Sequence, residues 1–333
     1  MGHNREFSKT RLRRSRMKKF SRELVRENRL SAQDLIWPVF VIEGEKIRQP
    51  IKSMPGVYRL SIDQIRIELE QLVLLDLNSI ALFPCIEPSL KDSKGSLALD
   101  TNNLICRTIK ELKREFPALG IITDIALDPF TDHGHDGVLI GGDVDNDSTL
   151  KNLNKQALSY ANAGCDILAP SDMMDGRVDS IRTSLESNNF ENVMIMSYAA
   201  KYASAFYGPF RNAVGSGKLV NPSNKKSYQL DYANSEEAMH EIAMDISEGA
   251  DMIMIKPALP YLDIVRDAKT KFRMPTFVYQ VSGEYSMIVA AVSSGVLNRK
   301  EAVSESLLCF KRAGADGIFT YFAPEVLKAL KSD

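Results

Sequence analysis

The chain has 333 residues, 44% hydrophobic and 26% charged, enough for one large globular core or two ordinary ones. Its 42 basic and 43 acidic side chains leave a net charge of −1, so no global attraction to nucleic acid or to an anionic membrane is expected. The four cysteines, Cys85, Cys106, Cys165 and Cys309, stand far apart without a CxxC pair, and no apolar run approaches the roughly 18 residues that span a bilayer. A disulfide scaffold, a structural zinc site and a membrane span are thereby excluded.

The chain opens on a basic segment, with eleven Lys/Arg against three Glu in residues 1–30. Glu23 and Glu27 fall in its helical part, Phe20–Asn28, which favours a solvated basic arm over a transit peptide; a cytoplasmic location is the expectation. Residues 1–34 therefore read as an arm preceding residues 35–333.

Eight short, nearly continuous apolar runs follow: Leu35–Val41, Ser79–Pro84, Ile121–Leu127, Ile167–Asp172, Val193–Tyr198, Met252–Ala258, Thr276–Ser282 and Gly317–Phe322. Such runs suit parallel strands buried on both faces. Segments of helical period lie between most of them, as in Ile62–Leu77 and Ala238–Ile246. Three junctions repeat, at residues 163–166 (AGCD), 248–251 (EGAD) and 313–316 (AGAD), each with a glycine suited to ending a helix just before a strand. Alternating strands and helices in this number predict an α/β fold, a (β/α)8 TIM barrel with an extended N-terminal arm; an open, doubly wound sheet is the alternative. Neither a GxGxxG after the first strand nor a GxxxxGK[ST] is present, which counts against nucleotide binding. The long Gly/Pro-containing stretch 201–234 reads as an active-site lid.

In such a barrel, chemistry gathers at the C-terminal ends of the strands. Those ends carry Asp124, Asp128, Asp172, Tyr198, Lys201, Lys256, Tyr279, Ser282 and Tyr321. Lys256 follows four apolar residues (MIMIK), where burial and a second cation such as Lys201 would lower its pKa and make it a nucleophile towards a ketone. The alternative is a lysine reaching solvent, or pairing with Asp263. The stretch 124–137 (DIALDPFTDHGHDG) is dense in oxygen and imidazole donors, including Asp124, Asp128 and Asp136; it suits a hard cation, an amino group, or plain solvation.

These motifs, with LIWPVFVIEG, MPGVYRLSID, ALFPCIEPSLKDSKGS, ILAPSDMMDGRV, MSYAAKYASAFYGPFR, MIMIKPALPYLDIV, VYQVSGEY and TYFAPEVL, resemble the porphobilinogen synthase (5-aminolevulinate dehydratase) family over essentially the whole length. The resemblance implies a lyase of tetrapyrrole and heme biosynthesis that condenses two molecules of 5-aminolevulinate to porphobilinogen with loss of two waters. It implies that Lys256 forms a Schiff base with the first substrate and that Lys201 engages the keto group of the second. Ser282 and Tyr321 match residues holding the first carboxylate; Arg211, Lys225 and Gln229 match those clamping the second; Phe210 packs over both, and Tyr279 joins the substrate contacts. Where the zinc-dependent branch carries three cysteines this chain has Ala126, Asp128 and Asp136, as in the aspartate-rich, magnesium-type branch, so catalytic zinc is not expected. Asp124, Asp128 and Asp136 then hold either a metal or the second substrate's ammonium. Glu241 matches a residue that binds an allosteric Mg²⁺, and the arm implies a homo-oligomer, an octamer.

Overall fold

In the computed structural model, which describes residues 6–214 and 225–332, the eight apolar runs form eight parallel strands. They are β1 (Leu35–Ile42), β2 (Ser79–Cys85), β3 (Gly120–Ile125), β4 (Ile167–Pro170), β5 (Met194–Lys201), β6 (Met252–Lys256), β7 (Thr276–Gln280) and β8 (Gly317–Thr320). Each pairs with its neighbour in sequence, and β8 pairs with β1 through Leu35 with Ile318 and Ile36 with Phe319. The sheet is thus a closed barrel rather than an open one. Nearly every residue of β1 and β5 is buried, because the strands pack side chains inside the barrel and helices outside it.

The surrounding helices are α1 (Ile62–Val73), α2 (Leu104–Glu115), α3 (Asn146–Ala163), α4 (Arg177–Ser187), α5 (Glu236–Ser247), α6 (Leu262–Phe272), α7 (Ser282–Ser293), α8 (Arg299–Ala313) and α9 (Ala323–Ser332). Their starts obey simple local chemistry. The Asn103 side chain accepts the Cys106 N–H at 3.0 Å, and Asp145 and Asn298 do the same for Ser148 and Glu301.

The repeated glycine–Asp junction has a structural meaning that its spacing alone does not reveal. Gly164, Gly249 and Gly314 all have φ between +102° and +119°, the left-handed conformation that ends a helix. The aspartate two residues later then reaches sideways. Asp166, Asp251 and Asp316 each accept, at 2.7 Å, the first free strand N–H of the preceding strand: Ile121, Ile195 and Thr276. Each also pairs with a cation from the helix that leads into that strand, Lys113 of α2, Arg182 of α4 or Lys269 of α6. The unit therefore repeats every two strands and ties the face of the barrel opposite the site.

Three details differ from the sequence reading. The arm forms a 3-10 turn, Leu12–Arg16, and a helix of six residues, Lys19–Leu24, shorter than Phe20–Asn28. Phe20, Leu24 and Val25 are 64%, 78% and 53% exposed, so the helix has no apolar surface to pack on, and short helices without packing do not extend. Strand β5 runs on past Tyr198 to Lys201, because β6 offers it a partner: Lys256 lies beside Lys201 in register. Finally, the stretch 201–234 is not a plain loop. It contains a 3-10 turn, Ala205–Tyr207, a short helix, Gly208–Ala213, and a second turn, Lys225–Ser227, while residues 215–224 of the expected lid lie outside the described residues.

Candidate active site

The C-terminal ends of the strands meet at one cavity. Its floor holds Asp124, Asp128, Lys201 and Lys256; Tyr279, Ser282 and Tyr321 form one wall; Phe210, Arg211, Lys225 and Gln229 close it from the segment after β5. All of the residues expected to hold or react with substrate line this cavity except Asp136, which lies just behind it, bonded to two of its lysines.

The two lysines stand side by side on β5 and β6, yet their surroundings differ. Lys201 Nζ lies 3.4 Å from Asp136 Oδ1 and donates to the Ser171 carbonyl. Lys256 is only 7% exposed, and among the described residues no carboxylate lies within ion-pair distance of its amine. Instead the amine sits over four rings: Tyr279 at 4.7 Å, Tyr198 at 5.0 Å, Phe210 at 5.2 Å and Tyr207 at 5.4 Å. Burial, and then the neighbouring Lys201 charge, pull the Lys256 pKa from 10.5 down to about 7. The alternative of a Lys256–Asp263 ion pair is not realised.

The acidic loop is already neutralised by lysines. Asp136 accepts from Lys225 Nζ at 2.8 Å and from the Tyr228 hydroxyl at 3.0 Å, and Lys225 also lies 3.4 Å from Asp128. Burial alone would raise the Asp136 pKa, but Lys201 and Lys225 overcome it and hold the group well below the usual carboxylate range. For Lys225 burial acts against the ammonium, while Asp128 and Asp136 more than restore it. Asp124 behaves differently. Burial, reinforced by Asp128, raises its pKa to about 6, and its Oδ1 has no hydrogen-bond partner. It is a carboxyl able to give or take a proton near neutrality, and it feels the charge of both lysines. The two histidines tie the loop to its neighbours: His133 contacts the Ser93 carbonyl, and His135 contacts the Tyr228 hydroxyl.

The wall and the lid are joined. The Tyr279 and Tyr321 hydroxyls lie 2.9 Å apart, and the Ser282 hydroxyl accepts the Phe210 N–H at 2.9 Å. Gly283 packs so tightly under the lid that a Cβ there would sit 2.4 Å from the Phe206 carbonyl oxygen. A buried amine that is neutral near pH 7, beside a second lysine and opposite hydroxyls and cations able to hold carboxylates, is equipped for imine chemistry on a keto acid.

Comparison with known proteins decides which keto-acid enzyme this is. The model of the family described as Delta-aminolevulinic acid dehydratase matches residues 9–329. The Delta-aminolevulinic acid dehydratase of Bradyrhizobium diazoefficiens is 55% identical over 320 residues, 96% of this chain and 90% of the relative. The chain belongs to the delta-aminolevulinic acid dehydratase family. The enzyme of that name from Methanothermus sociabilis is 50% identical over 98% of this chain and 100% of its own. The fold agrees as well: the crystal structure of the Toxoplasma gondii dehydratase (porphobilinogen synthase), in complex with the reaction product porphobilinogen, superposes with a TM-score of 0.94. It is 43% identical, covering 96% of this chain and 91% of that one.

Within this dehydratase fold Glu241 stands apart from the cavity. It projects from α5 into a separate hollow that Asp143, Asp175 and Glu237 also line, and burial raises its pKa despite the opposing Arg177. Among the described residues no three His, Cys, Asp or Glu side chains converge on one metal position. Sequence reasoning missed Tyr207 and Tyr228. The only available signal was aromatic enrichment in a segment otherwise rich in glycine and lysine, which does not tell which ring faces the amine.

Proposed function

We propose that the cavity carries out the reaction of its family as an asymmetric condensation, with Lys256 as the first nucleophile. The chain condenses two molecules of 5-aminolevulinate to porphobilinogen, a step of tetrapyrrole biosynthesis, and two waters leave. The observation that carries the residue assignment is the contrast between the two adjacent lysines: one caged by rings and neutral near pH 7, the other paired with Asp136.

In this reading the neutral Lys256 amine adds to the ketone of the first substrate; the carbinolamine then loses water to give the imine. Ser282 and Tyr321 hold that substrate's carboxylate, and Tyr279 orients Tyr321 through the shared hydroxyl contact. Lys201 engages the keto group of the second substrate, whose carboxylate meets Arg211, Lys225 and Gln229, with Phe210 across both. Asp124 moves protons as carbinolamines lose water. Holding two identical ketones in unlike orientations supplies much of the rate, since positioning replaces a bimolecular encounter.

The chain fits the aspartate-rich, magnesium-type branch. Asp128 and Asp136 stand where thiolates would be needed for zinc, and both are engaged by Lys225, an arrangement that favours an ammonium partner over an active-site metal. Glu241, in its acidic hollow, suits a hydrated Mg²⁺ that keeps most of its waters, with one carboxylate as its direct ligand. The ion would supply charge neutralisation at α5 rather than any reacting atom. The exposed apolar side of the arm, Leu12, Phe20, Leu24 and Val25, supports a homo-oligomer, an octamer, in which arms wrap neighbouring subunits. The cytoplasm is the location we propose; separately, no helix of the described residues is long and apolar enough to cross a membrane.

The experiment is direct: incubation with 5-aminolevulinate and colorimetric detection of porphobilinogen, with borohydride reduction and peptide mapping of the adduct. Pyrrole formation and a reduced adduct on Lys256 are expected. An active enzyme whose adduct maps elsewhere would overturn the assignment of Lys256.

A further inference from the structure

Glu284 is fully buried, forms no ion pair among the described residues, and has no part in the chemistry above. As the third residue of α7 it accepts the Val281 N–H at 2.7 Å, which an ordinary helix-starting glutamate does from the surface. This one goes further. The same carboxylate accepts the Leu259 N–H at 2.6 Å and the Ala258 N–H at 3.3 Å, both from the turn that follows Lys256. The ladder between β6 and β7 stops at Ile255 and Val278, so beyond it the turn after Lys256 and the start of α7, which carries Ser282, are joined through this side chain. Burial raises the Glu284 pKa to about 7 against the pull of the three amide donors, so the group is held at a penalty that a glutamine or an apolar residue would avoid.

We propose that Glu284 is a positioning residue, whose carboxylate sets the span between the Lys256 amine and the Ser282 hydroxyl so that one substrate is held by both ends. The proposal rests on the assignment of Lys256 and Ser282 given above. It makes a specific demand: displacing Glu284 should matter to a ketone that carries a carboxylate and not to one that lacks it.

Glu284→Gln keeps the length and volume but exchanges one acceptor oxygen for a donor that faces backbone N–H groups. Borohydride trapping at Lys256 is compared for 5-aminolevulinate and for aminoacetone, an aminoketone without the carboxylate arm, alongside kcat and KM for 5-aminolevulinate. Trapping of 5-aminolevulinate and kcat/KM should fall roughly 10- to 100-fold, the effect of a displacement near 1 Å, with aminoacetone trapping within about twofold of the native enzyme. Equal losses with both ketones, or no loss with either, would overturn the proposal. Native enzyme that traps neither ketone at Lys256 sinks the underlying site assignment instead. Should E284Q not fold, E284D, which keeps the charge and shortens the reach, takes the same comparison with the same two outcomes.

Discussion

Replacing Lys256 by Met should abolish turnover and at the same time make the protein more stable at neutral pH. The fall of the Lys256 pKa from 10.5 to about 7 means the folded state disfavours the ammonium relative to the unfolded chain. At about 1.4 kcal/mol per pKa unit the penalty is about 5 kcal/mol well below pH 7, and about 4 kcal/mol at pH 7, where half the folded amine is neutral. Attraction of the four rings for the remaining charge offsets about 0.5–2 kcal/mol of this. A methionine of similar length carries no charge and packs well among aromatic rings. The net gain is therefore about 2–4 kcal/mol at pH 7, read as a Tm increase of several degrees.

The sign with pH is fixed by the same values. The unfolded lysine gives up its proton near 10.5 and the folded one near 7, so between those values the unfolded chain binds more protons and native stability rises with pH. The advantage of K256M is thus full below pH 7, about halved by pH 9, and gone above 10.5. Thermal unfolding of both proteins from pH 6 to 10 measures it. A variant that is less stable than the native enzyme at pH 7, or whose advantage grows with pH, would refute the claim that Lys256 is a desolvated amine.

The same amine predicts a rate that climbs about tenfold from pH 6 to 8 as Lys256 becomes neutral; Asp136→Asn, by removing a carboxylate that favours the Lys256 ammonium, should move that rise to lower pH while cutting the maximal rate, as a pH–kcat profile will show. Arg177 and Asp245, each 2% exposed and 2.8 Å apart, join α4 to α5, so Asp245→Ala should lose about 3–5 kcal/mol in denaturant unfolding, much of it regained when Arg177→Met is added. Glu241→Ala should leave basal turnover measurable and erase the response to added Mg²⁺; titration of activity with the ion decides. Deleting residues 1–20 should reduce the sedimenting mass and the activity together, and full mass with full Mg²⁺-stimulated rate would end the case for an assembly role.

The barrel was legible because strands buried on both faces leave continuous apolar runs, and the glycine junctions marked where helices had to stop. Closure was not legible as such: it depends on Leu35 meeting Ile318, a contact between the first and last strands with no local signature. The aspartates of the junctions were visible as letters, but their bonds to an N–H at the start of the neighbouring strand required the folded register. At the site, Lys256 announced itself as a charge in an apolar run. The partners of the acidic loop did not, since Lys225 meets Asp136 across 89 residues of chain. Glu284 was hidden for the opposite reason: in VSGEY it reads as an ordinary start to a helix, and only its two additional bonds to the turn after Lys256 show otherwise.

The asymmetry of the reaction follows from one accident of register turned to use. Lys201 and Lys256 lie directly opposite on adjacent parallel strands, so like charges would repel across a few ångströms unless their surroundings differ. The loop after β3 supplies Asp136, which forms an ion pair with Lys201 and not with Lys256. The segment after β5 supplies Tyr207 and Phe210 over Lys256, and β7 adds Tyr279. One lysine is thereby given a counter-ion and the other is denied one, and the denied lysine, Lys256, is the one whose pKa falls to about 7. Two identical substrates then meet two unlike amines. In the proposed reaction the order of events then rests on the unlike surroundings of the two amines, since the substrates themselves are identical.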